Sequence, residues 1–211
     1  MEKRALWILI LTSVVVAGCV DPQGVIGRAN SDYFPLTLTS SWRYISENGG
    51  DTVALAVADY YEVGNDTVFV LDFIGDIWEI LLQNGDILRH YRYSIYPSGD
   101  EVTLEDNYGS FIEFPFVDGN SWRYFYADTV EFRGVDYSYQ HVVAGRCELV
   151  GDFDVPYGDF EDVYRVTIAD SVVTDTISAA STELYFARDT GPIAIRYNGE
   201  LYKLVDYTNG E

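Results

Sequence analysis

Cysteine is nearly absent from this 211-residue chain: Cys19 and Cys147 are the only two. No disulfide framework can carry the fold, so the chain must rest on its core. Histidine is equally scarce, with His90 and His141 alone. Each falls in a strand-like run, and nothing in the sequence brings the two together. A zinc site or a histidine-dependent nucleophile is therefore not expected. The chain contains no Gly-x-Ser-x-Gly elbow, phosphate-binding P-loop, dinucleotide fingerprint or His-Glu-x-x-His helix. Basic residues are few: 13 Lys and Arg stand against 34 Asp and Glu, a net charge of −21. So acidic a surface repels phosphate backbones, which excludes nucleic acid as an expected partner. It also disfavours docking of the body itself on anionic headgroups. No catalytic residue, metal or cofactor is expected from these absences.

The acids themselves offer one cluster. Asp152, Asp154, Asp159, Glu161 and Asp162 fall within eleven residues. Oxygen-rich loops hold calcium, but Pro156 stands where a third ligand would be and Gly158 sits one place late for an EF-hand. A turn with a solvated acidic face is the simpler expectation. Two carboxylates could also serve a glycosidase, but choosing a pair among 34 acids would be arbitrary.

What the chain does have is apolar and aromatic side chains, 48% and 16% of residues. That suffices for a sizeable core, in one large β domain or two small ones. Its N-terminus reads as an export signal. Lys3 and Arg4 precede an apolar run over 5–16, too short to span a bilayer. Val16-Ala17-Gly18-Cys19 follows and resembles the bacterial lipobox. Residues 1–18 are thus expected to be a lipoprotein signal peptide, with the lipid on Cys19 and 19–32 a flexible tether.

The body, 33–211, carries an internal repeat. Phe34-Pro35 and Ser41-Trp42-Arg43-Tyr44 recur eighty residues on as Phe114-Pro115 and Ser121-Trp122-Arg123-Tyr124. Two of four tryptophans fall in register, which points to duplication. The halves divide as 33–112 and 113–211. In each block proline precedes a strand, and Trp-Arg-Tyr opens it with Trp and Tyr on one face. Further strands are expected at 52–58, 67–73, 77–82, 87–95, 111–114, 122–127, 137–144, 147–150, 163–169, 183–187, 193–197 and 201–206. Asn84-Gly85 and Asn198-Gly199 are the strongest hairpin signals. No stretch after residue 30 shows a sustained helical period with caps, and only 170–182 leaves room for a turn or two of helix. The fold class is all-β and mainly antiparallel, a curved sheet or sandwich of two related halves.

Eighteen tyrosines are many. Tyr91 and Tyr93 share one strand face, as do Trp122, Tyr124 and Tyr126. Exposed, these five form a candidate aromatic surface for a sugar or an apolar ligand; buried, they are core. Cys147 likewise reads as a small buried hydrophobe or a reactive thiol.

These motifs resemble a loose group of bacterial envelope lipoproteins. In that group the mature chain opens on Tyr-Phe-Pro-Leu with a nearby Trp-x-Tyr and carries a second such block midway. A Val-Pro-x-Gly-x-Phe element and a glycine before a late hydrophobic strand follow. The matching residues are Tyr33-Phe34-Pro35-Leu36, Trp42, Tyr44, Phe114-Pro115, Trp122, Tyr124, Val155-Pro156-Tyr157-Gly158-Asp159-Phe160, Tyr164-Arg165-Val166, and Tyr185 with Thr190-Gly191-Pro192-Ile193. Thr39-Ser40, where a glycine is common, and Pro192 depart from the pattern. The resemblance implies location and shape, not chemistry. The expected function is a membrane-anchored envelope lipoprotein whose β body binds or scaffolds an envelope partner without catalysis. An apolar-ligand carrier or lipoprotein-handling chaperone is the alternative, and a carbohydrate-active enzyme the third.

Overall fold

The computed structural model describes residues 33–64, 66–83 and 86–209. The expected signal peptide, Cys19, the expected tether and the expected Asn84-Gly85 hairpin turn lie outside them. Among the described residues, twelve antiparallel strands form a single curved and nearly closed sheet. The first half supplies β1 (Ser41–Ser46), β2 (Thr52–Val63), β3 (Asp66–Phe73), β4 (Asp76–Gln83), β5 (Asp86–Ile95) and β6 (Val102–Ile112). The second supplies β7 (Ser121–Phe132), β8 (Val135–Val155), β9 (Gly158–Val173), β10 (Ile177–Ala187), β11 (Gly191–Tyr197) and β12 (Glu200–Thr208).

Each half is a six-stranded meander, and the sheet order runs β6-β5-β4-β3-β2-β1-β12-β11-β10-β9-β8-β7. The first described strand, β1, pairs with the last, β12, with Trp42 opposite Tyr207. The two edges of the sheet, β6 and β7, are the strands where one half gives way to the other.

Turn chemistry sets this pattern. Asn198 (φ 50°) and Gly199 (φ 82°) are both left-handed, as a two-residue hairpin with right-twisted strands requires. Ile74-Gly75 and Arg133-Gly134 repeat that geometry with first residues that advertise no turn.

Three expected elements are corrected. The strand assigned to 111–114 is the end of β6, which begins at Val102 and stops at Ile112. The stretches 137–144 and 147–150 are one strand, β8, whose irregular register around Gly151 takes up the bend. No helix forms over 170–182. Asp170 pairs with Ala180 and Val173 with Ile177 in the β9–β10 hairpin. Its small and hydroxylated side chains are mostly exposed and do not alternate in hydropathy, so pairing overrides a weak local signal.

The concave side is filled by the sheet's own side chains. Trp42, Tyr44, Phe73, Phe186, Ile80, Ile193 and Ile195 are fully buried. The two Phe-Pro blocks meet over this core: Tyr33 lies 5.0 Å from Phe116, and Phe34 and Phe116 both contact Phe186. Each large apolar side chain buried this way stabilises the fold by roughly 1.5–3 kcal/mol.

Candidate functional site

The five aromatic residues singled out from the sequence are brought together, on the inner faces of β5 and β7. Tyr91 stacks on Tyr124, with centroids 5.4 Å apart and planes 15° apart. Tyr93 stacks on Tyr139 of β8, which also contacts Tyr126. Tyr91 and Trp122 are buried, whereas Tyr93, Tyr124 and Tyr126 are half-buried. Such a row is mainly packing, not an open stacking platform.

Beneath the row lies a polar cluster. Glu105, on edge strand β6, is 1% exposed. It accepts hydrogen bonds from the Tyr124 hydroxyl of β7 at 2.8 Å and the Tyr139 hydroxyl of β8 at 2.5 Å. His141 Nδ1 lies 2.8 Å from the same carboxylate, and His141 Nε2 lies 3.0 Å from Asp170 of β9. Asn107 donates to the Tyr124 hydroxyl, and the Trp122 indole donates to the Phe111 carbonyl. Side chains thus join β6 to the second half where no backbone ladder does.

The electrostatics follow from this geometry. Burial would lower the His141 pKa, but hydrogen bonds to Asp170 and Glu105 outweigh it and raise it to about 9. Burial would raise the Glu105 pKa. The hydrogen bonds from His141, Tyr139 and Tyr124 prevail and hold the carboxyl below its ordinary range. The pair is therefore an imidazolium and a carboxylate near neutral pH.

A second feature lies beside the β4–β5 ladder. Strands β4 and β5 pair only from Ile80–Arg89 to Gln83–Asp86. Beyond Ile80 they part, and a cleft of about 320 Å³ opens between them, lined by Ile77, Glu79, Arg89, His90, Tyr91 and Arg92. His90 spans the rim, with Nδ1 2.6 Å from Glu79 and Nε2 2.6 Å from Asp106. Tyr108 stacks on its ring at 4.8 Å. The Arg89 guanidinium lies 5.5–5.7 Å from the ring centroids of Trp78, Tyr91 and Phe111.

A further cleft, of about 410 Å³, lies among the β1–β2, β3–β4 and β11–β12 turns. Glu200 lines it and accepts from Ser46 and Asn48. The acidic run 152–162 turns from β8 into β9, where Asp154 faces Asp159. No group of three or more His, Cys, Asp or Glu among the described residues is arranged to hold a metal ion.

Sequence reasoning missed Glu105, Arg89 and Tyr139, and it took His90 and His141 as isolated. One signal was available: Arg89-His90-Tyr91-Arg92 concentrates three cationic or potentially cationic side chains in a strongly acidic chain. Comparison with protein-family models, curated proteins and solved structures found no match.

Proposed function

We propose that this chain is a bacterial envelope lipoprotein, held to a membrane through a lipid on Cys19, whose β body is a non-catalytic binding or scaffolding module. The observation that carries the reading is Val16-Ala17-Gly18-Cys19 directly behind a basic start and a short apolar run. The body is consistent with a water-facing role. Its largest buried aromatic side chains, Trp42, Tyr44, Phe73 and Phe186, fill the core, while the exposed Arg43–Asp206 pair sits across β1 and β12, and the exposed aromatics Tyr60, Tyr61, Tyr96, Phe125 and Tyr157 are scattered over different strands and turns. A lipid-embedded barrel has the opposite arrangement, apolar outside and polar within.

Two other readings lose ground on particular side chains. A carrier needs an apolar chamber, and the concave side here is packed with Trp42, Tyr44 and Phe73. A carbohydrate-active enzyme needs two carboxylates facing a substrate. Two carboxylate pairs, Glu79 with Asp106 and Glu105 with Asp170, are each bridged by a histidine, His90 and His141, in place of a substrate.

The test is Cys19→Ser in a bacterial host fed labelled palmitate. The parent chain is expected to carry label and fractionate with membranes, and the variant to do neither. A variant that still carries label overturns the anchor. Crosslinking the parent in its own envelope, followed by recovery of the adduct, then asks whether the body has a partner.

A further inference from the structure

We propose that edge strand β7 pairs with β7 of a second copy of this chain, joining two bodies into a twofold dimer with one sheet running through both. Such a dimer goes beyond the reading of an anchored module and needs no lipid on Cys19. Three observations lead there.

The first is an open edge. Strand β7 ends the sheet. In an antiparallel ladder successive residues turn their N–H and C=O alternately to the two sides. Asn120 accepts from the Cys147 N–H, and Phe132 faces Val135 across the two-residue turn, so the even-numbered residues of β7 face β8. Ser121, Arg123, Phe125, Ala127, Thr129 and Glu131 therefore turn their main chain outward. Thr129 shows the consequence: its N–H donates to the side chain of its own neighbour, Asp128, at 2.7 Å. Strand β6 does not cover this edge. Its Glu105 reaches Tyr139 and His141 of β8, and its Phe111 carbonyl meets the Trp122 indole, which lies against Gly145 of β8. Strand β6 thus crosses the inner face of β7 and β8.

The second is a lack of edge protection. Exposed edges are normally blunted by proline, bulges or short length. Strand β7 runs twelve residues, contains no proline and keeps an unbroken register with β8 from Ser121 to Phe132. The other edge, β6, is irregular, with register shifts against β5 at Ile87/Leu88 and Tyr93/Ser94.

The third is self-complementarity. With Ala127 on the twofold axis, Phe125 faces Thr129 of the second copy and Arg123 faces Glu131, all at outward-turned positions. Arg123 and Glu131 are exposed, and among the described residues neither is in an ion pair. Glu131 faces Asp136 across the β7–β8 hairpin, a like-charge pair that a cation relieves. By symmetry the Arg–Glu contact forms twice, which offsets part of the repulsion between two acidic bodies. Phe125, 55% exposed in mid-strand, lies diagonally beside the small Ala127 of the other copy.

Disulfide trapping on the purified full-length chain in mild detergent tests the pairing, with copper phenanthroline as oxidant and the parent chain as control. Native Cys147 is buried and does not take part. Facing α-carbons at such positions stand about 5.5 Å apart, within disulfide reach. Ala127→Cys is therefore expected to give a covalent homodimer. Thr129→Cys alone should not, because its two copies stand roughly 14 Å apart, but mixed with Phe125→Cys it should. Sedimentation equilibrium should give the parent a dimer Kd on the order of 10 μM. Arg123→Glu and Glu131→Arg should each weaken it about tenfold, and the double variant should recover the parent's value. Ala127→Pro keeps the ladder to β8, since residue 127 turns its N–H outward. Its urea midpoint, read where the parent is monomeric, should hold while the dimer is lost.

A parent that stays monomeric up to about 100 μM overturns the proposal. So does a dimer that Arg123→Glu leaves intact, a double variant that does not recover, or Thr129→Cys crosslinking as readily as Ala127→Cys. Ala127→Cys trapped on a different protein in envelope extracts, with no homodimer, also overturns it in favour of a foreign strand. None of these outcomes bears on palmitate labelling at Cys19, so failure here is distinct from failure of the anchor.

Discussion

Glu105 and His141 meet at 2.8 Å between β6 and β8, reaching past the one junction between the halves that has no backbone ladder. At the other junction, β1 and β12 pair directly along Trp42–Tyr207 and its neighbours. The same duplicated meander is therefore closed in two ways, once by main-chain hydrogen bonds and once by a buried ion pair with two tyrosine donors. Removing either charge would leave the other buried, which makes this contact expensive to break.

Its first consequence is a pH dependence. His141 has a folded pKa of about 9, above its ordinary value. The stability it contributes is full below an unfolded pKa of roughly 6.5 and is lost as pH rises through about 9. Glu105 has the opposite sense: its folded pKa is lowered, so its contribution is present above roughly 4.5 and fades as pH falls through the folded value. Urea midpoints should therefore be highest near pH 6 and fall by pH 10, with a loss on the order of 2–3 kcal/mol from His141. Glu105→Ala should cost about 3 kcal/mol near pH 6, since His141 keeps Asp170 as one partner. A midpoint unchanged between pH 6 and pH 10 would mean that the pair does not hold the junction.

Cys147 gives a second expectation. It is buried on β8, and burial pushes its thiol pKa up to about 11. Neither thiolate character nor access is available, so the folded chain should not react with a thiol reagent at pH 8 over hours. In urea the same reagent should titrate the group within minutes. Rapid labelling without denaturant would place the thiol at the surface and restore the reactive alternative.

The strands were legible wherever one face alternates with the other. Trp42 and Tyr44, or Tyr139 and Val143, face inward at period two and mark their strands plainly. The hairpin at Asn198-Gly199 was legible because its residues prefer the left-handed backbone. Ile74 was not, since a β-branched residue with φ 55° contradicts local preference and answers to the strands on either side. Glu105 was hidden for another reason: its partners lie 19, 34 and 36 residues away along the chain, and the β5–β6 register shifts just beside it. Nothing local marks an acid as buried when its compensation is wholly tertiary.

Gly145 and Gly109 carry a prediction that local propensity gets wrong. Alanine normally favours a strand interior over glycine by about 0.5–1 kcal/mol. At Gly145, however, a Cβ would lie 2.0 Å from the Trp122 indole, and at Gly109 it would lie 2.6 Å from the Tyr124 ring. Both rings face the β6–β7 junction and have little room to yield. Gly145→Ala and Gly109→Ala should each destabilise by about 1–3 kcal/mol, the cost of overpacking a filled core. Gly64→Ala, where the space is open, tests backbone strain alone. If Gly145→Ala unfolds at the parent's urea midpoint, the indole does not lie over this strand.

The duplicated tryptophans give the sharpest comparison. Trp42 is 0% exposed and Trp122 is 7% exposed. Each indole donates to a backbone carbonyl, Trp42 to Thr190 at 2.6 Å and Trp122 to Phe111 at 3.2 Å. Trp42→Ala and Trp122→Ala should each cost roughly 3–5 kcal/mol, a large share of the stability of a domain this size. Their further effects should differ, because the two indoles serve different junctions. Trp42 stacks on Tyr207 beside a backbone ladder that runs from Ser41 to Ser46 with one register shift after Arg43, so its loss leaves β1 and β12 paired. Trp122 makes one of the few hydrogen bonds that tie β7 to β6, and its loss should loosen the junction itself. Hydrogen exchange on the two variants at equal distance below their unfolding midpoints separates the cases. Amides of β6 and β7 should exchange faster in Trp122→Ala than in Trp42→Ala, while β1 and β12 stay protected in both. Equal protection of β6 and β7 in the two variants would show that the junction is closed without the Trp122 contact.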